Sequence, residues 1–251
     1  MIDPAEMLAI ERRALNAWPA LESEMAGGWV LRAAGGWTKR ANSANPLSPA
    51  GPFETVKTAA ETFYPGRGLP AIFRITPLAP PDADAALAAA GYTIFDPSLV
   101  MTMPLAAGLA DDRVRLERIP TAEWLAAFAT TNGLPAAMRA THDAIVHAIA
   151  LPAAFATCED GGRAVAFGLA VMERDMIGLF DIVTLPAERG RGYGRAVTGA
   201  LLDWGRREGA TSSYIQVRSV NDVARNLYTS LGYAQVYGYH YRMPPGWSAG
   251  T

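Results

Sequence analysis

The chain has 251 residues, half of them hydrophobic and 18% charged, with a formal net charge of −2. That is globular composition, long enough for one large domain or two small ones, and it lacks the bulk positive field that draws a protein to nucleic acid or an anionic membrane. A single cysteine, Cys158, excludes an internal disulfide and a cysteine-rich metal site; with no basic and apolar leader and no apolar run of roughly 18 residues, the expectation is a cytoplasmic protein that meets small partners in a local pocket.

Asp3-Pro4 opens the first predicted helix as N-cap and first-turn proline, and Met7, Ile10, Ala14 and Trp18 repeat at the spacing of one buried stripe. Trp29–Arg32 and Trp37–Arg40 flank Gly35-Gly36 and predict a hairpin. Residues 46–52, rich in proline and serine, predict a loop; 53–64 a helix; 71–75 a strand; 82–90 a short helix stopped by Gly91; and 92–103 a strand. The run from Ala106 to Asp112 carries no periodicity and marks a linker. Beyond it the pattern predicts a strand at 113–116, helices near 121–131 and 135–150, and strands at 153–159, 163–173 and 175–184. A helix at 192–207, a strand at 214–217, a helix at 221–231 and a last strand from Tyr233 complete the chain. This order means a mixed α/β sheet with helices packed on it.

The segment from Phe180 to Arg195 runs a strand into glycines that open a helix. Such a helix start presents unpaired backbone N–H groups and the positive end of the helix dipole. Gly190, Gly192 and Gly194 let an anion approach the backbone, and Arg189, Arg191 and Arg195 add positive charge nearby. Together these make a phosphate cradle. The Gly-Lys-Ser/Thr ending of a P-loop is absent, and the third glycine of a dinucleotide fingerprint falls on Arg195 or Val197. The plainer alternative is an arginine-rich turn with solvated charges.

On the predicted helix at 221–231, Asn221, Arg225 and Tyr228 recur at i, i+4 and i+7 and share one face. Val223, Leu227 and Leu231 recur every four residues, as expected of a core-facing stripe, and Asn221 is placed to cap the helix. The spacings Arg189-x-x-Gly192-x-Gly194 and Asn221-x-x-Ala224-x-x-x-Tyr228, followed by Gly232-Tyr233, resemble the GNAT superfamily of acyl-CoA-dependent N-acyltransferases over about residues 113–243. The resemblance implies a mixed, mainly antiparallel twisted sheet flanked by helices. It implies that the loop Arg189, Gly190, Arg191, Gly192, Tyr193, Gly194 and Arg195 binds the CoA pyrophosphate, and that Ile182, Val183 and Thr184 pair with the pantetheine arm. Tyr228 then sits near the CoA sulfur, donating a proton to the departing thiolate or holding its charge, and Asn221 and Arg225 lie at the cofactor. An aromatic closing the core edge is the alternative for Tyr228, and a solvated surface residue the alternative for Arg225.

No glutamate stands on the third strand where the histone-acetylating members of that superfamily carry their base; the nearest carboxylate is Asp181. Strand alternation puts Asp181 on the face of Val183, where it can bind a substrate ammonium or pass its proton to water; a structural aspartate is the alternative. His142, His147 and His240 are scattered and predict no metal site. With Gly91 set on Gly232, Ala85–Tyr92 resembles Asn226–Tyr233, and Leu87 stands where Tyr228 does. We therefore expect two similar domains: a degenerate copy at 1–105, a linker at 106–112 and an acetyl-CoA-binding domain at 113–251. The first has no cradle; it serves either for packing or for an acceptor pocket built with Trp37, Arg40, Asn42 and Asn45, where Arg40 holds a carboxylate. The expected function is direct transfer of an acetyl group from acetyl-CoA to a primary amine, on a small molecule or a peptide N-terminus. A non-catalytic acyl-CoA sensor is the alternative, and a nucleotide-binding module is disfavoured by the failed fingerprints.

Overall fold

The computed structural model describes residues 2–105 and 111–247. Residues 106–110 of the expected linker lie outside the described residues. In chain order the elements are α1 (Pro4–Ala17), β1 (Glu22–Ala26), β2 (Trp29–Ala33), β3 (Ala44–Pro46), α2 (Phe53–Phe63), β4 (Phe73–Ile75), α3 (Ala83–Ala89) and β5 (Thr93–Pro104). Then follow β6 (Val114–Glu117), α4 (Ala122–Thr131), α5 (Ala136–His147), β7 (Ala153–Asp160), β8 (Arg163–Glu173), β9 (Met176–Thr184), α6 (Tyr193–Arg207), β10 (Ser212–Arg218), α7 (Asp222–Leu231) and β11 (Ala234–Met243). The architecture is mixed α/β and mainly antiparallel; β3–β4 and β9–β10 pair in parallel.

Two compact units divide the chain. One joins residues 1–100 with 217–222 and the segment from Gln235 onward; the other joins 101–216 with 223–234. The expected cut between 105 and 113 leaves the last strand in the second domain. Instead β11 pairs antiparallel with β4, His240 opposite Ile75 and Arg242 opposite Phe73. Arg242 secures it by donating to Asp84 Oδ1 (2.8 Å) and Oδ2 (2.9 Å) and to the Tyr92 carbonyl (3.0 Å).

In the first unit the strand order is β1-β2-β3-β4-β11-β5. Asp3 Oδ1 accepts from the Ala5 N–H at 2.7 Å, as its capping position predicts, and Met7, Ile10, Ala14 and Trp18 are buried. The core is aromatic: Trp29, Phe53, Phe73 and Tyr92 form a chain of ring contacts with centroids 5.5 to 5.7 Å apart. The one buried carboxylate of α1, Glu11, meets Arg74 of β4 and accepts from the Tyr237 hydroxyl at 2.6 Å. Arg74 also lies 3.8 Å over the Tyr239 ring, which adds a cation–π contact to this buried charge pair.

The predicted hairpin changes partner. β2 pairs with β1 before it and with β3 after it, Leu31 opposite Ala44, while 39–41 forms a 3-10 turn. Asn42 explains the difference. Its Oδ1 accepts from the amides of Ala34 (2.7 Å) and Gly36 (3.0 Å), and its Nδ2 donates to the carbonyls of Trp37 and Thr38 (both 2.8 Å). The side chain thus takes the backbone groups a strand would need for its ladder.

In the second unit the order runs from the end of β5 through β10-β9-β8-β7-β6. Trp124 of α4 donates its indole N–H to the Ala156 carbonyl of β7 (3.1 Å). On the α6 side, glycine in β8 makes close packing possible: a Cβ on Gly168 would lie 2.6 Å from both Ile182 Cδ1 and Val197 Cγ1. The proposed repeat has a structural counterpart within each unit. Gly91 (φ +83) and Gly232 (φ +105) both end a helix in the left-handed region. The Tyr92 N–H donates to the Leu87 carbonyl and the Tyr233 N–H to the Tyr228 carbonyl, both at 3.0 Å.

Candidate active site

The site begins as a fault in β9. Along its ladder with β8, Phe180 faces Leu169 and Val183 faces Phe167, so Asp181 and Ile182 together oppose Gly168 alone. This is a β-bulge, and Asp181 takes φ +51 within it, a left-handed conformation that costs a non-glycine residue about 1–2 kcal/mol. The expected alternation of Asp181 with Val183 is therefore broken here: an extra residue shifts the period-two pattern. On the other edge of β9, parallel pairing with β10 covers Met176–Leu179, opposite Ser212–Ile215. The strand thus enters its last residues, 180–184, with its ladder to β8 irregular and beyond the span of its ladder to β10, and a bulge releases backbone N–H groups from pairing.

β9 leads through a 3-10 turn, Pro186–Glu188, into the glycine loop and α6. Gly192 is the helix N-cap at φ +84, and a Cβ on Gly190 or Gly192 would meet nothing within 4 Å. The first-turn amides of Tyr193, Gly194 and Arg195 have no partner inside the helix by its geometry. Open space in front of them and the dipole behind them suit an anion. The three arginines differ in availability. Arg191 bonds Glu188 and reaches Asp160 at 3.4 Å, and Arg195 donates to the Ser230 hydroxyl of α7. Arg189 is exposed and makes no ion pair among the described residues. The Tyr193 side chain is buried and its hydroxyl donates to Asp160, which holds it protonated above its usual range.

On α7 the buried residue is Tyr228, only 5% exposed. The expected core stripe is overturned: Val223 is 85% exposed, Leu227 and Leu231 are half-buried, and Leu227 stands over the start of α6 near Gly194. A four-residue repeat shows which side chains share a face and leaves open which face is covered. Asn221 is exposed just before the helix, and Arg225 is half-buried on it. The Tyr228 ring packs edge-on against Tyr233, with centroids 5.8 Å apart, and its hydroxyl has no hydrogen-bond partner among the described residues. Burial pushes this phenol well above its ordinary value near 10. The phenol therefore keeps its proton in the free protein.

Asp181 has a partner that pattern reading missed. His142 Nε2 lies 2.9 Å from Asp181 Oδ2. The imidazole comes from α5, 39 residues earlier in the chain, and no local motif signals the pair. In the first unit, Asn42 and Asn45 are buried, and Asn42 is committed to its own loop.

The profile of the family described as "Probable histone acetyltransferase Rv0428c C-terminal" matches residues 4–242, nearly the whole chain. The chain belongs to that family, within the GNAT superfamily. It is an acyltransferase of the GNAT type, and its relatives agree. The uncharacterized N-acetyltransferase YobR of Bacillus subtilis is 31% identical over 242 residues, covering 93% of this chain and 97% of its own length. The probable histone acetyltransferase Rv0428c of Mycobacterium tuberculosis is 29% identical over 254 residues, covering 98% and 76%. Two solved structures share the GNAT fold. A GCN5-related N-acetyltransferase from Kribbella flavida aligns with a TM-score of 0.70 at 16% identity, over 96% of each chain. A tandem GNAT protein from the clavulanic acid biosynthesis pathway aligns with a TM-score of 0.63 at 12% identity, over 96% of this chain and 89% of its own. No helix among the described residues is long and apolar enough to cross a membrane.

Proposed function

We propose that the second unit of this GNAT protein binds acetyl-CoA and transfers its acetyl group directly to a primary amine. The observation that carries this reading is the bulge at Asp181–Ile182, on a strand that leads through a short 3-10 turn to the open glycine N-cap of α6. The fit to the cosubstrate rests on the same features. Backbone amides from Arg189 to Arg195 suit the pyrophosphate, and Ile182, Val183 and Thr184 offer a strand edge to the pantetheine arm. An amide near Val183 polarises the thioester carbonyl. Acetyl-CoA supplies the activated acyl group and a thiolate leaving group.

The neutral amine attacks the carbonyl carbon, the carbon–sulfur bond breaks, and the Tyr228 hydroxyl holds the charge developing on sulfur. The amine's proton passes to the Asp181 carboxylate or through it to water. Arg225 flanks the cosubstrate from α7. Direct attack needs no thiol nucleophile, and Cys158 is buried on β7 with its thiol pushed up mainly by desolvation. Holding thioester and amine together replaces a bimolecular encounter by an oriented one. The first unit lacks the glycine loop and has Leu87 in the place of Tyr228, so we expect one acetyl-CoA per chain; a cytoplasmic setting goes with this reading.

The acceptor is a small amine or a protein N-terminus. A [ribosomal protein bS18]-alanine N-acetyltransferase of Haemophilus ducreyi, 30% identical over 84 residues and matching 33% of this chain, keeps the second class in view. The test is thiol release from acetyl-CoA with a panel of primary amines, beside a calorimetric titration of acetyl-CoA. Turnover with one-to-one binding supports the reading. Tight binding with no turnover on any amine would favour a non-catalytic acyl-CoA sensor, and two bound molecules would overturn the assignment of the first unit.

A further inference from the structure

The reaction as set out uses Asp181 and leaves the group that holds it without a role. His142 is fully buried. Its ring stacks on Phe128 at 4.4 Å and 13°, and on Trp124 at 6.3 Å and 16°, both from α4. Stacking fixes the plane of the ring and directs its Nε2 edge to Asp181 Oδ2 at 2.9 Å. The other nitrogen faces Asp143 Oδ1 at 3.4 Å. A side chain sealed from solvent cannot touch an incoming amine. The Asp181 side chain, 13% exposed, can.

We infer that His142 is the positioning residue for Asp181. An ionised carboxylate only accepts, so the imidazole carries its proton on Nε2 and donates it to Oδ2. This bond ties a carboxylate on a strained, left-handed bulge residue to a ring that the aromatic stack prevents from turning. Oδ1 is left to take the acceptor's ammonium or its departing proton. The imidazole keeps Asp181 in place while Asp181 meets the substrate. The inference rests on the role proposed for Asp181 above.

The experiment uses the full-length protein as wild type, Asp181→Asn, His142→Gln and His142→Leu. Glutamine can present an N–H where Nε2 stands, and leucine fills the slot without a donor. Thiol release from acetyl-CoA is measured with spermine, a lysine-rich peptide and a peptide with N-terminal alanine, and acetyl-CoA affinity by calorimetry. His142→Leu should lower kcat/KM for the amine by about ten- to a hundredfold, the effect of misplacing a reacting group, with acetyl-CoA affinity unchanged. His142→Gln should restore most of that loss. In 15N-histidine NMR, the His142 nitrogens should show the Nε2–H form and shift on Asp181→Asn.

Nitrogens that ignore Asp181→Asn would overturn the inference whether or not an acceptor is found. So would a glutamine variant as impaired as leucine, which points to packing alone, or His142 variants that turn over normally beside an inactive Asp181→Asn. Failure of the underlying reading shows separately, as wild-type protein that neither binds acetyl-CoA nor releases thiol.

Discussion

Replacing Gly192 by alanine separates the cradle's chemistry from its backbone strain. At φ +84 an L-residue is strained, and no atom lies within 4 Å of the position its Cβ would take. In the free protein the cost is therefore conformational only, about 1–2 kcal/mol. For a chain of this size that is a fall in Tm of roughly 2–8 °C. Valine would add the penalty of a branched Cβ at positive φ, so alanine is the cleaner probe. In the proposed complex the same methyl group stands where the pyrophosphate must approach the backbone. Loss of one charge-assisted hydrogen bond there, worth about 1.5–3 kcal/mol, weakens acetyl-CoA binding by about 10- to 150-fold. Gly162, in the turn between β7 and β8, supplies the control: it has φ +75 and equally open surroundings. Gly162→Ala should match the thermal shift of Gly192→Ala and leave the affinity alone. Calorimetry and melting curves on both variants decide the matter. Equal acetyl-CoA affinity in the two would refute a pyrophosphate site at Gly192.

Tyr228→Phe keeps the packing against Tyr233 and removes a hydroxyl that has no partner among the described residues; stability should change by less than about 0.5 kcal/mol while turnover falls and acetyl-CoA affinity stays. Equal turnover where the chemical step limits the rate would remove Tyr228 from the mechanism. Gly168→Val puts side-chain atoms where Ile182 and Val197 already stand at 2.6 Å; overpacking should cost about 1–3 kcal/mol and displace the bulge, so turnover should drop more than stability alone explains, and wild-type activity in the folded variant would count against the bulge. Glu11→Gln leaves the buried Arg74 guanidinium uncompensated, and denaturant titration should show a loss of about 3–5 kcal/mol; a loss under about 1 kcal/mol would mean that the Tyr239 ring suffices. The Asp84 carboxyl is held down to about 2, chiefly by the Arg242 hydrogen bonds. Its contribution to stability is full above the ordinary carboxylate range near 4 and fades as pH falls towards 2. The stability gap between wild type and Asp84→Asn, measured by denaturation, should therefore close between about pH 4 and pH 2, and a gap independent of pH would reject the ion pair as its source.

What the sequence determined by itself is everything that depends on near neighbours along the chain. Periodicity located the helices and most of the strands, because amphipathic spacing is a local property. The Asp3 cap and the glycine loop were legible for the same reason, since their chemistry is contained in a few consecutive residues. The spacing from Asn221 to Tyr228 was legible as one helix face, but its neighbours were not, so Val223 was expected inside and is outside. Only tertiary structure could decide the rest. The bulge at Asp181 exists because two residues of β9 oppose Gly168 of β8, a register no single strand contains. Asn42 turned a predicted strand into a loop by capturing backbone groups four to eight residues away. β11 paired with β4 across more than half the chain, and His142 of helix α5 reached Asp181 on strand β9. Each of these is set by which surfaces meet after collapse, and a one-dimensional pattern records only which residues are able to meet.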